Sequence, residues 1–422
     1  MKIKFTGDTY ELKTGINILA GELGFTEDDE GLPVHVEKSD GNIEVLLHAG
    51  KGIIRYNRKV HFFRALGLFI EALRNSYSFN IIETPQFDNV GVMFDVSRNS
   101  VMKPENIKNM IRKLAIMGIT TIIIYMEDVF TVEGEPYFGY MRGRYSYREL
   151  KECDDYADVF GIEMIPAIQT MAHLESFLKW DAAAIYKDTA DAVLVGSAKT
   201  YELIDKLIKN ASAPFRSKRI HVGMDEAHSL GRGRYLDMYG YRNKTEIIIE
   251  HIRKVTEITS KYGLRPMMWS DMCFKCGSKK GDYYDPEANI PESLICQFPR
   301  EMQLVYWDYD HGTNKEFCKE LIRKHKVMGR APIFAGAVWT FMGMGTNYGI
   351  TLKSSDGSLE ACKEEGVREV FVCTWFDDGA ENNFYSALLG FQLYAEHGYS
   401  VKVDTGKLKR RFEFCTGMNY EA

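Results

Sequence analysis

The chain has 422 residues, too many for one small core, with the 45% hydrophobic and 27% charged content of an ordinary folded protein. Its net charge of −6 comes without a long basic run, which argues against nucleic acid or an anionic membrane surface as partner. No stretch approaches the roughly 18 apolar residues needed to span a bilayer.

The first residues, Met1 to Asp8, carry no apolar signal-peptide core, so a cytoplasmic location is expected. Residues 1–86 then mix signals. An apolar helix-like run from Gly15 to Leu23 precedes short strands at His35–Glu37 and Ile43–His48. A second helix spans Val60–Arg74, and a strand at Phe79–Glu83 stops before Pro85. This pattern predicts a small α+β domain with an antiparallel sheet.

From Asn89 the rhythm changes. Apolar runs at Val90–Val96, Thr121–Tyr125, Glu163–Ile168, Ile220–Val222, Pro266–Trp269, Leu304–Trp307, Ile333–Trp339 and Val370–Trp375 alternate with amphipathic stretches. The helical stretches are Pro104–Met117, Tyr147–Phe160, Tyr201–Lys209, Glu246–Tyr262, Asn314–His325, Leu359–Glu365 and Phe384–His397. Gly118, Gly161, Gly263 and Gly366 stand where helices end. Eight strand–helix units over residues 87–400 predict a (β/α)8 TIM barrel. An open doubly wound sheet is the alternative, but no glycine-rich fingerprint follows the first strand. Residues 401–422 read as the start of a C-terminal helical segment that is cut short.

In such a barrel the active site lies at the C-terminal ends of the strands, and the chemically distinctive residues fall there. Strand one ends in Asp95-Val-Ser-Arg98, strand three leads to His173, and strand four ends in the acid pair Asp225-Glu226. Four of the five tryptophans, Trp269, Trp307, Trp339 and Trp375, close strands five to eight. An aromatic content of 13% suits the binding of sugars and other flat ligands. Each feature also has a plainer reading. Acids at a helix start favour the macrodipole, tryptophans fill cores, Arg98 suits a salt bridge, and His173 and His221 suit buried hydrogen bonds. Consecutive strand residues point to opposite faces, so Asp225 and Glu226 share a pocket only if the strand has already broken.

Metal and redox chemistry find little support. Cys273 and Cys276 form a C-x-x-C without a second pair at zinc spacing and read as reduced thiols. His173-Leu174-Glu175 has the H-x-E spacing of zinc deaminases, but no P-C-x-x-C follows.

Taken together, Asp95-Val-Ser-Arg98, His221-Val-Gly-Met-Asp-Glu226 and the strand-end tryptophans resemble glycoside hydrolase family 20, the β-N-acetylhexosaminidases. The resemblance covers nearly the whole chain. It implies an exo-acting enzyme that releases terminal β-linked N-acetylhexosamine with retention, using the substrate's own acetamide oxygen as nucleophile. Glu226 would be the general acid and base, with its pKa raised by its surroundings. Asp225 would hold the acetamide N–H. Arg98 would grip the 3- and 4-hydroxyls, with His173 also at the substrate. Trp269, Trp307, Trp339 and Trp375 would wall the pocket. No metal and no cofactor would be needed, and the partner is an oligosaccharide or small glycoside.

The chain departs from the family pattern in three places. Met224 replaces the second glycine before the acid pair. The seventh strand lacks the usual Tyr-x-Asp, whose work Tyr306 and Asp308 would do from strand six. Asp377 stands where a glutamate often follows the last tryptophan, which leaves N-acetylglucosamine and N-acetylgalactosamine both open. Two other readings remain: a barrel glycosidase with a protein nucleophile acting on sugars without an acetamide, and a sugar-binding protein without catalysis.

Overall fold

The computed structural model describes residues 1–329, 331–377 and 379–421. Its N-terminal unit is a six-stranded sheet with strands β1 (Lys2–Gly7), β2 (Thr26–Glu27), β3 (Leu32–Lys38), β4 (Ile43–His48), β5 (Lys51–Tyr56) and β6 (Phe79–Glu83), in the order β2-β1-β3-β5-β4-β6. Contrary to the expected antiparallel sheet, it is mixed. β1 runs parallel to β2 and β3, and β3 parallel to β5, while β4 is antiparallel to β5 and β6. The reason lies in the connections. Helix Lys13–Leu23 carries the chain back over the sheet between β1 and β3, and such a crossover makes parallel neighbours. Only β4 and β5 are joined by a tight turn, where Ala49 and Gly50 both take positive φ as a two-residue hairpin requires.

The barrel strands are β7 (Asn89–Asp95), β8 (Thr121–Tyr125), β9 (Glu163–Ala167), β10 (Arg219–His221), β11 (Arg265–Trp269), β12 (Gln303–Trp307), β13 (Ile333–Val338) and β14 (Glu369–Thr374). All pair in parallel, and β14 against β7 closes the ring, as the (β/α)8 reading expects. The strands read as continuous apolar runs because both faces are covered. Met93, Ile123, Ile165, Met267, Val305, Ala335 and Phe371 fill the interior, and their neighbours in sequence meet the outer helices. The helices carry their own start and stop signals. Helix Tyr147–Val159 opens with a reciprocal cap in which the Ser146 hydroxyl accepts from the Glu149 amide and the Glu149 carboxylate from the Ser146 amide. Helix Pro104–Met117 begins with its proline and ends on Gly118 at φ +88°. No described helix is long and apolar enough to cross a membrane.

The sheet and the barrel share a charge network. Arg64, on helix Lys59–Leu73, is fully buried. It donates to Glu83 at the end of β6 at 2.5 and 2.9 Å and to Glu396 on helix Leu388–Tyr399 at 3.0 Å. Lys407, on helix Thr405–Thr416, bridges the same two carboxylates at 2.6 and 3.1 Å. Arg411 on that helix reaches Glu71 and the Ile116 carbonyl at 2.7 and 2.9 Å. Helix Thr405–Thr416 is thereby docked onto both units. Removing one partner of a buried pair leaves an uncompensated charge. Arg64→Leu should cost about 3–5 kcal/mol of stability, read from urea denaturation, and a loss below about 1 kcal/mol would show that the network carries little of the docking.

Candidate active site

The acid pair owes its geometry to a break in the chain after β10. The strand ends at His221, whose ring lies against Trp269 with centroids 4.4 Å apart. Its Nδ1 accepts from the Gly223 amide at 3.1 Å. Burial pushes the His221 pKa down to about 3, so it is a neutral structural residue. Gly223, Met224 and Glu226 then take φ of +73°, +74° and +49°. These left-handed steps abolish strand alternation and turn Asp225 and Glu226 toward one pocket. Gly223 has no alternative, since a Cβ there would lie 2.0 Å from Gln169 Oε1. Met224 occupies a conformation that costs a side-chain-bearing residue about 1–2 kcal/mol, and its fully buried side chain offsets that cost.

Gln169, just beyond β9, fixes Asp225. Its Nε2 donates to Asp225 Oδ1 and to the Tyr125 hydroxyl, both at 2.8 Å, while its Oε1 accepts from the Met224 amide at 3.2 Å. His173, itself at φ +53°, places Nε2 3.3 Å from Asp225 Oδ2 and 3.5 Å from Glu226 Oε2. Burial disfavours its charged form, but Asp225 and then Glu226 outweigh that and raise the His173 pKa well above its ordinary value. In return, burial of Asp225 is overcome by His173 and Gln169, and its pKa falls to about 2. The expectation of a raised pKa for Glu226 is overturned. The approach of His173 is the largest influence, and together with the Tyr283 hydroxyl it outweighs burial and the Asp225 charge and lowers it. The three donor atoms lie within 4.8 Å of one another, a spacing that could also hold a cation; in the protein itself the imidazolium supplies the positive charge.

A second constellation surrounds Arg98. Its Nη1 meets Asp95 Oδ2 at 3.1 Å, and its Nη2 meets Glu127 Oε1 at 3.3 Å and Asp377 Oδ1 at 3.8 Å. The guanidinium also lies over the Tyr125 and Trp375 rings at 5.1 and 5.4 Å. Asp95 is the anchor, accepting in addition from the Ser97 amide and hydroxyl and the Phe376 amide. Glu127 was not singled out from the sequence. It follows β8 at φ +44° and accepts from the Tyr125 hydroxyl at 3.1 Å. Burial, against the opposing charge of Arg98, lifts its pKa to about 7. The signal was present: Glu127-Asp128 is a second acid pair ending an apolar strand. A cleft of about 390 Å³ runs between Arg98, Glu127, His173, Glu226 and Asp377.

All four strand-end tryptophans lie at the C-terminal rim of the barrel, though none of them lines that cleft. Trp269 and Trp375 belong to the inner aromatic cluster, 1% and 7% exposed, with Trp375 edge-on to Tyr125 at 5.0 Å. Trp307 stacks on Tyr309 at 5.1 Å and Trp339 on Phe341 at 4.7 Å. The indoles of Trp375 and Trp339 donate to the Tyr309 hydroxyl and carbonyl, each at 2.9 Å. Tyr306 is a correction. Trp307 faces inward, so Tyr306 faces out, packing on Tyr284, His325 and Phe334 and donating to the buried Asp308 at 2.7 Å. Neither Tyr306 nor Asp308 reaches the cleft, and Tyr309 stands inside the barrel instead. Cys273 and Cys276 are free thiols on helix Asp271–Gly277.

Residues 87–307, about half of the chain, match the family description "Glycosyl hydrolase family 20, catalytic domain". The chain belongs to glycosyl hydrolase family 20. That match includes Arg98, His173, Asp225, Glu226, Trp269 and Trp307, while Tyr309, Trp339, Trp375 and Asp377 lie beyond it. Among curated relatives, Hexosaminidase D of Bos taurus is 26% identical over 234 residues, covering 53% of this chain and 64% of the relative. Hexosaminidase D of Homo sapiens is 25% identical, over 53% of this chain and 45% of the relative. The chain thus spans about half to two thirds of these relatives. The family 20 β-N-acetylhexosaminidase of Streptomyces coelicolor A3(2) superposes with a TM-score of 0.72 at 16% identity, covering 100% of this chain and 93% of that one. The exo β-N-acetylglucosaminidase of Vibrio harveyi, solved with N-acetylglucosamine, gives 0.72 at 14% identity over 98% and 72%. These two likenesses establish the shared fold.

The role of His173 is open to direct measurement. His173→Ala removes the largest influence holding the Glu226 pKa down, leaving burial and the Asp225 charge, which raise it, against the weaker pull of the Tyr283 hydroxyl. The Glu226 carboxyl should then titrate above its ordinary range, as followed by carbon NMR. An unmoved titration would take His173 out of the electrostatics of the pair.

Proposed function

We propose that the protein is an exo-acting, retaining β-N-acetylhexosaminidase that releases terminal β-linked N-acetylglucosamine or N-acetylgalactosamine by substrate-assisted catalysis. The observation that carries this reading is the convergence of Asp225 and Glu226 on a shared His173, which with Glu226 lines the cleft. In this reading Arg98, backed by Asp95 and flanked by Glu127 and Asp377, holds the sugar hydroxyls through its fixed fork of donors. Trp269, Trp307, Trp339 and Trp375 form the walls, and Tyr309 takes the place first assigned to Tyr306, steadying the acetamide.

The acetamide oxygen attacks the anomeric carbon as the glycosidic bond breaks, and Glu226 gives its proton to the departing oxygen. Asp225, ionised and fixed by Gln169, accepts the acetamide N–H and offsets the positive charge of the oxazolinium ring. Water, deprotonated by Glu226, then opens the ring and restores the β configuration. The lowered pKa of Glu226 in the free protein places the site's proton on His173, 3.5 Å away. Sugar binding excludes water from Glu226, favours its neutral form, and draws that proton across. No step calls for a metal or an organic cofactor. The eight free cysteines suit a reducing compartment, which supports a cytoplasmic location.

The reading is tested with paired aryl glycosides that differ in the 2-acetamido group. Turnover should require it, and activity on a plain glucoside would move the assignment to a protein nucleophile. Glu226→Gln should lower the rate on natural glycosides by about 10²–10⁴-fold, with a smaller loss for p-nitrophenyl leaving groups; equal losses would remove Glu226 as the acid. Tyr309→Phe should reduce kcat/KM by up to about 10-fold, the worth of one neutral hydrogen bond, while Tyr306→Phe leaves it within the error of the assay. The reverse order would restore Tyr306 to the site.

A further inference from the structure

Two residues beyond β11, Asp271 opens the short helix Asp271–Gly277. Its side chain is fully buried. Oδ2 accepts from the backbone N–H of Glu226 at 3.0 Å, while Oδ1 makes no well-formed hydrogen bond among the described residues, the Trp307 indole acting on the carboxyl without one. A helix gains from an acid in its first turn without burying it, and an under-satisfied buried carboxyl is costly. Helix formation therefore does not explain this side chain. Its one good hydrogen bond goes to the residue that most needs holding, Glu226 at φ +49°. Such a backbone persists only where its surroundings over-determine it. The Gly223 amide is held by His221 and the Met224 amide by Gln169, and Asp271 is the brace for Glu226.

We propose that Asp271 is a positioning residue for the reaction: its carboxyl clamps the Glu226 amide, keeps that residue left-handed, and so fixes the reach of the Glu226 side chain into the cleft. The inference rests on the role given to Glu226 above. The surroundings of Asp271 also favour a neutral carboxyl. Burial and then the Asp225 charge push its pKa up to about 8, against the Glu226 amide and the Trp307 indole. It faces Asp225 and Glu226 from the loop after β10, Tyr283 and Tyr284 from the segment after its own helix, and Cys273 and Cys276 from that helix. Each of these groups is neutral or negative. Ionised Asp271 would add a third negative charge to the acid pair and repel the carboxylate it positions.

The test compares wild type, Asp271→Ala and Asp271→Asn in the full chain. kcat and KM are measured on p-nitrophenyl N-acetyl-β-glucosaminide from pH 5 to 9, with melting curves over the same range. Asp271→Ala should lower kcat by about 10²-fold, as displacement of a reacting group does, with KM little changed. Asp271→Asn keeps an uncharged acceptor for the Glu226 amide, so it should restore most of kcat at pH 6 and flatten the decline expected of wild type above about pH 8. The melting curves carry a sign of their own. An acid whose pKa is raised in the folded state is protonated there but ionised in the unfolded chain, so stability falls as pH rises toward the folded pKa. Wild type should lose melting temperature relative to Asp271→Asn between pH 5 and 8. Full kcat in Asp271→Ala overturns the proposal, as does an Asp271→Asn variant that melts like wild type at pH 6 yet is as impaired as Asp271→Ala. If wild type cleaves no acetamido glycoside, the functional reading fails, and the melting curves judge Asp271 separately. Parallel curves for wild type and Asp271→Asn would then refute a neutral buried carboxyl at this position.

Discussion

Two consecutive side chains cannot share a pocket while the backbone between them is extended. That constraint governs this site. The chain meets it by leaving β10 early and taking left-handed steps at Gly223, Met224 and Glu226. Those steps are unfavourable locally, so they must be held from outside. Gln169 reaches in from the end of β9 and Asp271 from beyond β11, the two strands that flank β10. The parallel ring thus brackets its own break. Left-handed residues recur around the same rim at Asn99, Glu127, His173, Met342 and Ala380, each after the end of a barrel strand. Strain of this kind concentrates where function demands a special direction for a side chain, and here it follows the mouth of the barrel.

Charge in the cleft is arranged as two compensated groups. His173 stands between Asp225 and Glu226, while Arg98 stands among Asp95, Glu127 and Asp377. In each, one cation meets more than one carboxylate, so the environment rather than the residue type decides which acids are charged. Asp225 is held ionised by direct contact with His173, and Glu127 is kept near neutrality by burial despite its contact with Arg98. Identical functional groups within one cleft are thereby given different protonation states, the usual basis for dividing acid and base work.

The barrel was legible because its signal is repeated. Eight apolar runs with helices between them leave few arrangements, and the acid pair and tryptophans fall at one end of the strands. What the sequence hid were matters of direction and of contact. Strand polarity in the N-terminal sheet depends on whether a connection is a turn or a crossover, and the composition of residues 1–86 is compatible with both. Tyr306 and Asp308 reproduce the Tyr-x-Asp spacing in the sequence, yet inward-facing Trp307 sets the parity and turns Tyr306 out of the site. Glu127 and Asp271 are ordinary acids until the fold brings Arg98 to one and the Glu226 amide to the other. The depressed pKa of Glu226 was hidden for the same reason, since its cause is a histidine 53 residues away in sequence.

The buried network around Arg64 has a consequence for recombining parts of this protein. Its charges come from helix Lys59–Leu73 and β6 on one side and from helices Leu388–Tyr399 and Thr405–Thr416 on the other. Each side holds a pair of its own, Arg64–Glu83 and Lys407–Glu396, and the two pairs are cross-linked by Arg64–Glu396 and Lys407–Glu83. A chimera joining this barrel to a foreign N-terminal sheet must therefore carry Arg64 and Glu83 across the junction as a set, or leave the buried Glu396 with Lys407 as its one remaining partner in the network. The two units are contiguous in sequence, but their shared surface makes them one heritable piece.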